Sequence, residues 1–558
     1  MIKRCKSEGG FTTLIFLSLL LMLTLLGVNA IMTSTADVDI AGYELNSSYA
    51  LYAAEAGLEK AAAALRQQYD DFGVPPTVYP DDSLTIGNYG VRYVVTKPGG
   101  TVSKVLTSGA YKGLYSLSDE YEITAVASSA NQKAKTTLRM TVDASVVPVF
   151  QFAVFYEGDL EIAPGADMTL AGRVHSNKDM YLAADGSTLK IDSYTTAAGN
   201  IFHGRSPLSG MGSATGDVDI KDASGNYQNM KNSDGTWLDA NKADWVTSSI
   251  SRWGGMVEDA DHGMTELKLP VVASGQPVDM INPAGGTNVD SYERKAGLKI
   301  VNGAAYWKKA DSTWQNVTAD LTSAGVITSK TFRDQREGKD VYSTDIDISK
   351  LNTSSYWPTN GIVYTSNISG SNLTATRLVN GGTLKDKLTI ASNNPVYTKG
   401  DYNTTSKKAA AIMTDAYTVL SNSWNDANST LAKSSRVASN TTVNVAYMTG
   451  NKNSGSGGGT SYSGGYENLP RFLETWSGKT LTWKGSSVCL WQSRQATGSW
   501  GGGYYDPPTR SWVFDQDFLD PTKLPPGTPL ISIVQKTSWL ELKGAAAEQA
   551  MADALGTP

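Results

Sequence analysis

The feature that most constrains this chain is a stretch without charge. No Asp, Glu, Lys or Arg occurs between Glu8 and Asp37, and the run from Phe11 through Leu26-Gly27-Val28 to Met32 is strongly apolar. A helix of that length crosses about 30 Å of hydrocarbon with its backbone groups paired internally. Lys3, Arg4 and Lys6 precede it. Positive charge before a first apolar span keeps that end in the cytoplasm and sends the rest outward, here as a single-pass protein in contact with the lipid bilayer. A secretory signal would have a core of roughly 7–15 apolar residues and then a small-residue cleavage site. This core is longer, and helical sequence continues past it through Tyr43-Glu44-Leu45 to Glu59.

The second half of the helix carries Ala50, Ala53, Ala54, Gly57, Leu58, Ala61 and Leu65 at helical spacing. Small residues on such a stripe let neighbouring helices approach closely in a membrane or filament core. Gly73 and Pro75-Pro76 end it, giving a helix over 11–72. The Gly10-Phe11 junction lies before the apolar run, an arrangement that resembles a type IV prepilin signal. The stretch Ala53, Ala54, Glu55, Ala56, Gly57, Leu58, Glu59 resembles the N-terminal helix of PilX-like minor pilins. The resemblance implies a leader at 1–10, cut by the prepilin peptidase between Gly10 and Phe11, and methylation of the new N-terminus. It also implies other major and minor pilins and the inner-membrane pilus assembly platform as partners. Major pilins have Glu at the fifth mature position, where this chain has Ile15. Tip minor pilins and the tip pseudopilin of type II secretion lack that Glu in the same way. The resemblance therefore implies a pilus-tip, extracellular position after assembly.

At 558 residues the chain is too long for one core. Charged residues are 18% and the net charge is −6, so composition offers nothing to a polyanion and no nucleic acid partner is expected. The two cysteines are Cys5 and Cys489. Cys5 falls in the leader, so the exported part has no intrachain disulfide. Cys489 lies in the apolar run Ser487–Trp491 and reads as a buried, inert thiol.

After the helix the period changes to two. Tyr89–Val95, Tyr121–Val126 and Thr137–Val142 are strand patterns, and they predict a small α+β head over 73–147, as the resemblance also implies. From 148 to 545 short strand patterns recur every seven to ten residues between Gly, Asp, Asn and Pro, beginning Phe155–Ile162, Met168–Leu170, Arg173–Asn177 and Asp179–Leu182. They return at Ile362–Tyr364, Thr376–Gly381, Leu388–Ala391, Pro395–Tyr402, Ala409–Ser421, Val443–Met448 and Leu481–Val488. Stacked rungs bury inward residues on one another and need Gly or Asn where φ is positive. The fold class expected is mainly β with one long N-terminal helix, the head being followed by a right-handed parallel β-solenoid and a tail at 546–558. An antiparallel sandwich is allowed by the same spacing. Loops are expected at 210–225 and at the Gly/Ser-rich 451–465, and an excursion from the stack at 253–270. An irregular, partly helical piece is expected at 332–348, and a helical turn capping one end at 469–476.

No HExxH, GxSxG, GxGxxG or CxxC pattern occurs. No catalytic residue, metal ligand or cofactor is therefore assigned. His175 reads as packed within a strand pattern. Glu258, Asp259, Asp261 and His262 read as a solvated loop, since they lack the spacing of a calcium loop. Asp159, Glu161 and Asp167 are the only candidates for paired carboxylates of a carbohydrate enzyme. Trp500, Tyr504 and Tyr505, flanked by glycines, form a candidate adhesive loop for a surface or carbohydrate ligand. The expected function is a tip-type minor pilin acting in pilus assembly, priming and adhesion. The rival is a membrane-anchored extracellular β-solenoid enzyme or binding protein acting on polysaccharide.

Overall fold

The computed structural model describes residues 9–72, 76, 78–79, 81–107, 111–130, 134–267, 276–284, 288, 291–368, 370–452, 462–501 and 503–555. Residues 1–8, most of the leader expected over 1–10, and the centre of the Gly/Ser-rich loop, 453–461, lie outside them.

Helix α1 (Gly9–Phe72) has 64 residues, about 96 Å at 1.5 Å per residue. Its first turns, through Met32, stand clear of the rest of the chain, with Leu, Ile and Phe side chains exposed on every side. From Ala50 one stripe goes under: Ala50, Ala53, Ala54, Leu58, Ala61, Ala62, Leu65 and Tyr69 are buried. They pack on an antiparallel sheet of β1 (Asp81–Ile86), β2 (Tyr89–Thr96), β4 (Tyr115–Ser129) and β5 (Lys135–Pro148), with β3 (Val102–Val105) paired to the start of β4. Val91, Tyr93, Ile123, Ala125, Leu138, Met140 and Val142 complete that core. Helix and sheet approach closely at Gly57, where an added Cβ would lie 2.7 Å from Val91 Cγ1. The small residues of the stripe thus serve the chain's own sheet.

The head is not finished at residue 147. The strand Leu530–Leu542 pairs antiparallel along β5, from Leu530 opposite Pro148 to Leu542 opposite Thr137. The helix Ala545–Leu555 then lies against the same sheet. Sequence pattern alone assigned this strand to the ectodomain and left 546–558 as a tail. Strand pairing puts both in the head, because β5 has an open edge that only another strand can satisfy. The segment 149–529 is therefore an insertion in the head, and its two ends meet where the Val149 N–H donates to the Pro529 carbonyl at 3.0 Å.

Within the insertion, parallel ladders dominate. Val154 pairs with Val174, and Leu160 with Met180, each twenty residues on. Phe152–Tyr156, Leu160–Ile162 and Met168–Leu170 each begin a ladder that the next turn of chain extends. The largest sheet among the described residues has twelve strands. Ten run parallel, in the order Val257–Glu258, Thr195–Ala197, Arg173–Ser176, Phe152–Tyr156, Ser487–Cys489, Ala446–Thr449, Ala410–Thr414, Leu388–Ser392, Ile362–Ser366 and Leu298–Val301. Ala304–Lys308 and Trp314–Asn316 add antiparallel strands at the far end. The chain enters this sheet in the middle and builds outward to Val257–Glu258. It crosses to the opposite end and builds back until Ser487–Cys489 pairs with Phe152–Tyr156. The crossing is pinned at Leu267, which exchanges hydrogen bonds with Asn177 (2.9 and 3.0 Å), and at Ile281, whose carbonyl accepts from Tyr364. Asn302, Asn380 and Asn403 take the positive φ expected at turns.

Three local expectations are corrected. Residues 332–348 are mostly strand, in the hairpin of Ile327–Asp334 with Lys339–Asp347. The alternation of buried residues there, Phe332, Asp334 and Val341 among them, reflects a sheet face rather than a helix. Residues 469–476 are extended, with Arg471 bridged to Thr418 and Thr475 to Val437. They continue the ladder beyond Tyr417–Leu420, the last strand of its five-stranded sheet, and form no helical turn. Asp217–Lys221 is a strand on the Thr188–Ile191 ladder, inside the stretch expected to be loop, because Val218 and Ile220 find an inward face.

Gly57→Val should destabilise the head by about 2 kcal/mol, since the new side chain enters space held by Val91 and Ala125. Hydrogen exchange at helix residues 50–69 should accelerate while the ectodomain ladders keep their protection.

Candidate functional site

The chain presents two places to look for function: the helix with its head, and the polar positions of the inserted segment 149–529. In α1, residues 10–69 contain a span with mean hydropathy 2.5 in its most apolar window, none of it buried. That is long and apolar enough to cross a membrane. Gly10 and Phe11 lie in its first turn, fully accessible, and Ile15 is 44% exposed on the same uncovered surface. Ala53, Ala54, Gly57 and Leu58 are buried against the head, with Glu55 half-buried at the margin. A groove of about 1050 Å³ opens where the helix leaves the sheet, lined by Val38, Tyr43, Tyr49, Ala53, Tyr89 and Ala134 among others.

The far end of the helix is locked by a polar cluster. The Tyr69 hydroxyl donates to Asp119 at 2.6 Å and lies 2.8 Å from the Tyr121 hydroxyl. Thr101 also donates to Asp119, and Lys97 Nζ stands 2.5 Å from it. Burial alone would raise the Asp119 carboxyl; the donors from Lys97, Thr101 and Tyr69 outweigh it and hold the group below its ordinary range. The cluster anchors the helix and leaves no free acid.

The three carboxylates singled out in the insertion are likewise committed to structure. Asp159 accepts from the Asp179 N–H (3.3 Å) and Asp167 from the Thr188 N–H (2.9 Å), each at the start of the parallel strand that extends its ladder. Glu161 is buried; it accepts from the Ser206 N–H at 2.9 Å and from the Tyr462 hydroxyl, with Arg205 at 3.5 Å. Asp159 and Glu161 line a polar cavity of about 280 Å³ together with Lys178 and Ser206. Asp167 stands outside it, so the three carboxylates do not converge on one point.

His175 is fully buried, stacked on Phe155 and bonded to Thr196 (2.8 Å) and Asn177 (2.9 Å). Burial lowers its pKa to about 4. His203 stacks face to face on Trp237. The acidic loop is not solvated throughout: Asp259 is fully buried, while Asp261 is exposed. Ser249 Oγ lies 2.6 Å from His262 Nε2, and His262 Nδ1 lies 2.8 Å from Asp259 Oδ1. Asp259 also accepts from Trp245 Nε1 and the Ile201 N–H. Sequence reasoning missed this Ser-His-Asp relay, because Ser249 sits unmarked in the helix Trp245–Trp253. Its geometry is that of a nucleophile and base, but Ser249 is wholly buried and its hydroxyl donates to the Val246 carbonyl. No substrate reaches it, and the relay fastens that helix to the end of the sheet.

The candidate adhesive loop is packed. Trp500 Nε1 donates to the Tyr505 hydroxyl at 2.8 Å, Tyr505 donates to Asn468, and Trp500 meets Tyr462 edge-on. The Tyr504 carbonyl accepts from Arg436. All three aromatics are half-buried, and Trp476, Trp483, Trp491 and Trp512 are buried. Flanking glycines signalled turns, not exposed rings. Cys489 is buried, as its apolar run predicts, and burial pushes its thiol up to about 12. Among the described residues no group of three or more His, Cys, Asp or Glu side chains is placed to hold a metal ion.

Comparison with known proteins gives no match: no family model, curated protein or solved structure is similar to this chain.

Two buried groups set opposite pH slopes. Glu467, buried beside Arg510 and accepting from the Ala163 N–H, is raised by burial to about 7. Folding then takes up its proton between pH 7 and 4.5, so its contribution to stability grows as pH falls through that window. His175 stays neutral in the fold down to about pH 4, so its contribution is lost as pH falls from 6.5 to 4. Relative to wild type, Glu467→Gln should lose about 3 kcal/mol of the stability gained between pH 7 and 4.5, and His175→Gln should spare a similar loss between pH 6.5 and 4. Denaturant midpoints followed against pH measure both.

Proposed function

We propose that this protein is a minor pilin, built to stand at the tip of a type IV pilus or related filament and to carry a large β-solenoid outside. The observation that carries the reading is the continuity of α1. An uncovered apolar half runs without a break into a half packed on an antiparallel sheet. Such a rod satisfies its backbone in lipid and exchanges lipid for sister helices in a filament. Orientation follows from Lys3, Arg4 and Lys6 ahead of the span, and processing from Gly10-Phe11. Ile15 supplies no carboxylate to pair with a subunit above, which suits the terminal place.

The parallel ladders and their twenty-residue step support a solenoid, and a right-handed coil is the hand that parallel crossover connections take. The committed carboxylates and sealed Ser249 favour assembly and adhesion over polysaccharide cleavage. Mass spectrometry of the protein from its native membrane should find a mature chain beginning at a methylated Phe11, and Gly10→Val should leave residues 1–10 attached. A mature chain that retains its first ten residues would remove the pilin reading and favour the anchored polysaccharide-binding rival.

A further inference from the structure

We propose that residues Leu530–Leu555 are a latch: they couple folding of the ectodomain to closure of the head, so that α1 is held on its sheet only once the inserted 149–529 has been made and folded. The inference is independent of what the apolar half of α1 packs against.

Four observations converge. First, β5 is flanked on one side by β4 and on the other by the C-terminal strand alone, through twelve registered residues. Without that strand β5 is an open edge of unpaired N–H and C=O groups. Second, the strand's two faces lie in two different cores. Ile531 and Ile533 are buried in the ectodomain core, while Leu530 and Val534 pack on the helix–sheet core of the head. A strand with alternating faces can dock fully only when both cores exist. Third, it also touches the helix, through the ion pair of Lys536 with Glu59. The helix that follows buries Ala550 and lies against β4 and β2. Fourth, the insertion closes by itself. The pairing of Ser487–Cys489 with Phe152–Tyr156 is supplemented by Ser486 and Ser487 hydroxyls donating to the Phe152 and Ala153 carbonyls at 2.6 and 2.9 Å. None of these contacts uses the last thirty residues, so the ectodomain ladder can close before the latch arrives and adds Ile531 and Ile533 to its core.

The test is hydrogen exchange read by mass spectrometry on the whole chain in detergent micelles, against a chain ending at Thr528. The truncated chain should exchange about tenfold faster or more at helix residues 50–69 and along β5, while Phe152–Tyr156 and Ser487–Cys489 keep their protection. A synthetic peptide of residues 529–558 should restore slow exchange in the head. Unchanged exchange at 50–69, or equal loss in head and ectodomain, overturns the proposal. If the truncated chain is not recovered, the intact chain carrying Ile531→Ser and Ile533→Ser replaces it. Those changes touch only the ectodomain face of the strand, yet they should speed exchange at 50–69 by about fivefold or more. No change there overturns the proposal as well.

Discussion

The fold depends on one strand having both its edges paired. Phe152–Tyr156 is the first strand after the head, and it lies in the interior of the largest sheet. One neighbour, Arg173–Ser176, arrives within twenty residues; the other, Ser487–Cys489, arrives more than three hundred later. Buried backbone groups cannot be left unmatched. The chain must therefore travel to the far end of the sheet and build back to its starting point. That return brings the C-terminus beside β5, and the head sheet is completed from there. Sheet closure, the insertion and the composite head are consequences of the same pairing.

Charge is handled in the same economical way. Arg377 is almost fully buried between Asp345 and Asp426, and Arg471 is paired with Glu337 in the interior. A buried ion needs a partner in good geometry, because its desolvation otherwise outweighs any attraction. These groups position strands and loops against one another. Ser249, His262 and Asp259 follow the same rule, which is why a catalytic-looking arrangement serves as a fastener here.

Much was legible beforehand where a local period carried the information. The uncharged run and the Ala-rich stripe marked α1 and its buried face residue by residue. Alternation marked β2, β4 and β5, and the short patterns at 155–182 and 362–421 fell on real strands. Asn at turns was readable because few side chains tolerate positive φ. Patterns failed where neighbours decide. Trp500, Tyr504 and Tyr505 looked exposed, but all three are half-buried, with Trp500 packed on Tyr462 and Tyr505 bonded to Asn468. Leu530–Leu542 alternates like any strand, and nothing local says which sheet it joins.

By itself, then, the order of residues determined the long apolar helix, the side it buries, the β character of nearly everything after it, and the turn positions. All of these rest on periods of two or 3.6 residues that need no distant partner. The tertiary structure alone decided that the segment 149–529 is inserted into the head, that its largest sheet is entered in the middle, and which carboxylates serve as caps. Those outcomes hang on pairings between residues hundreds of positions apart, such as Val154 with Ser487, and backbone hydrogen bonds at that range leave no mark in local sequence.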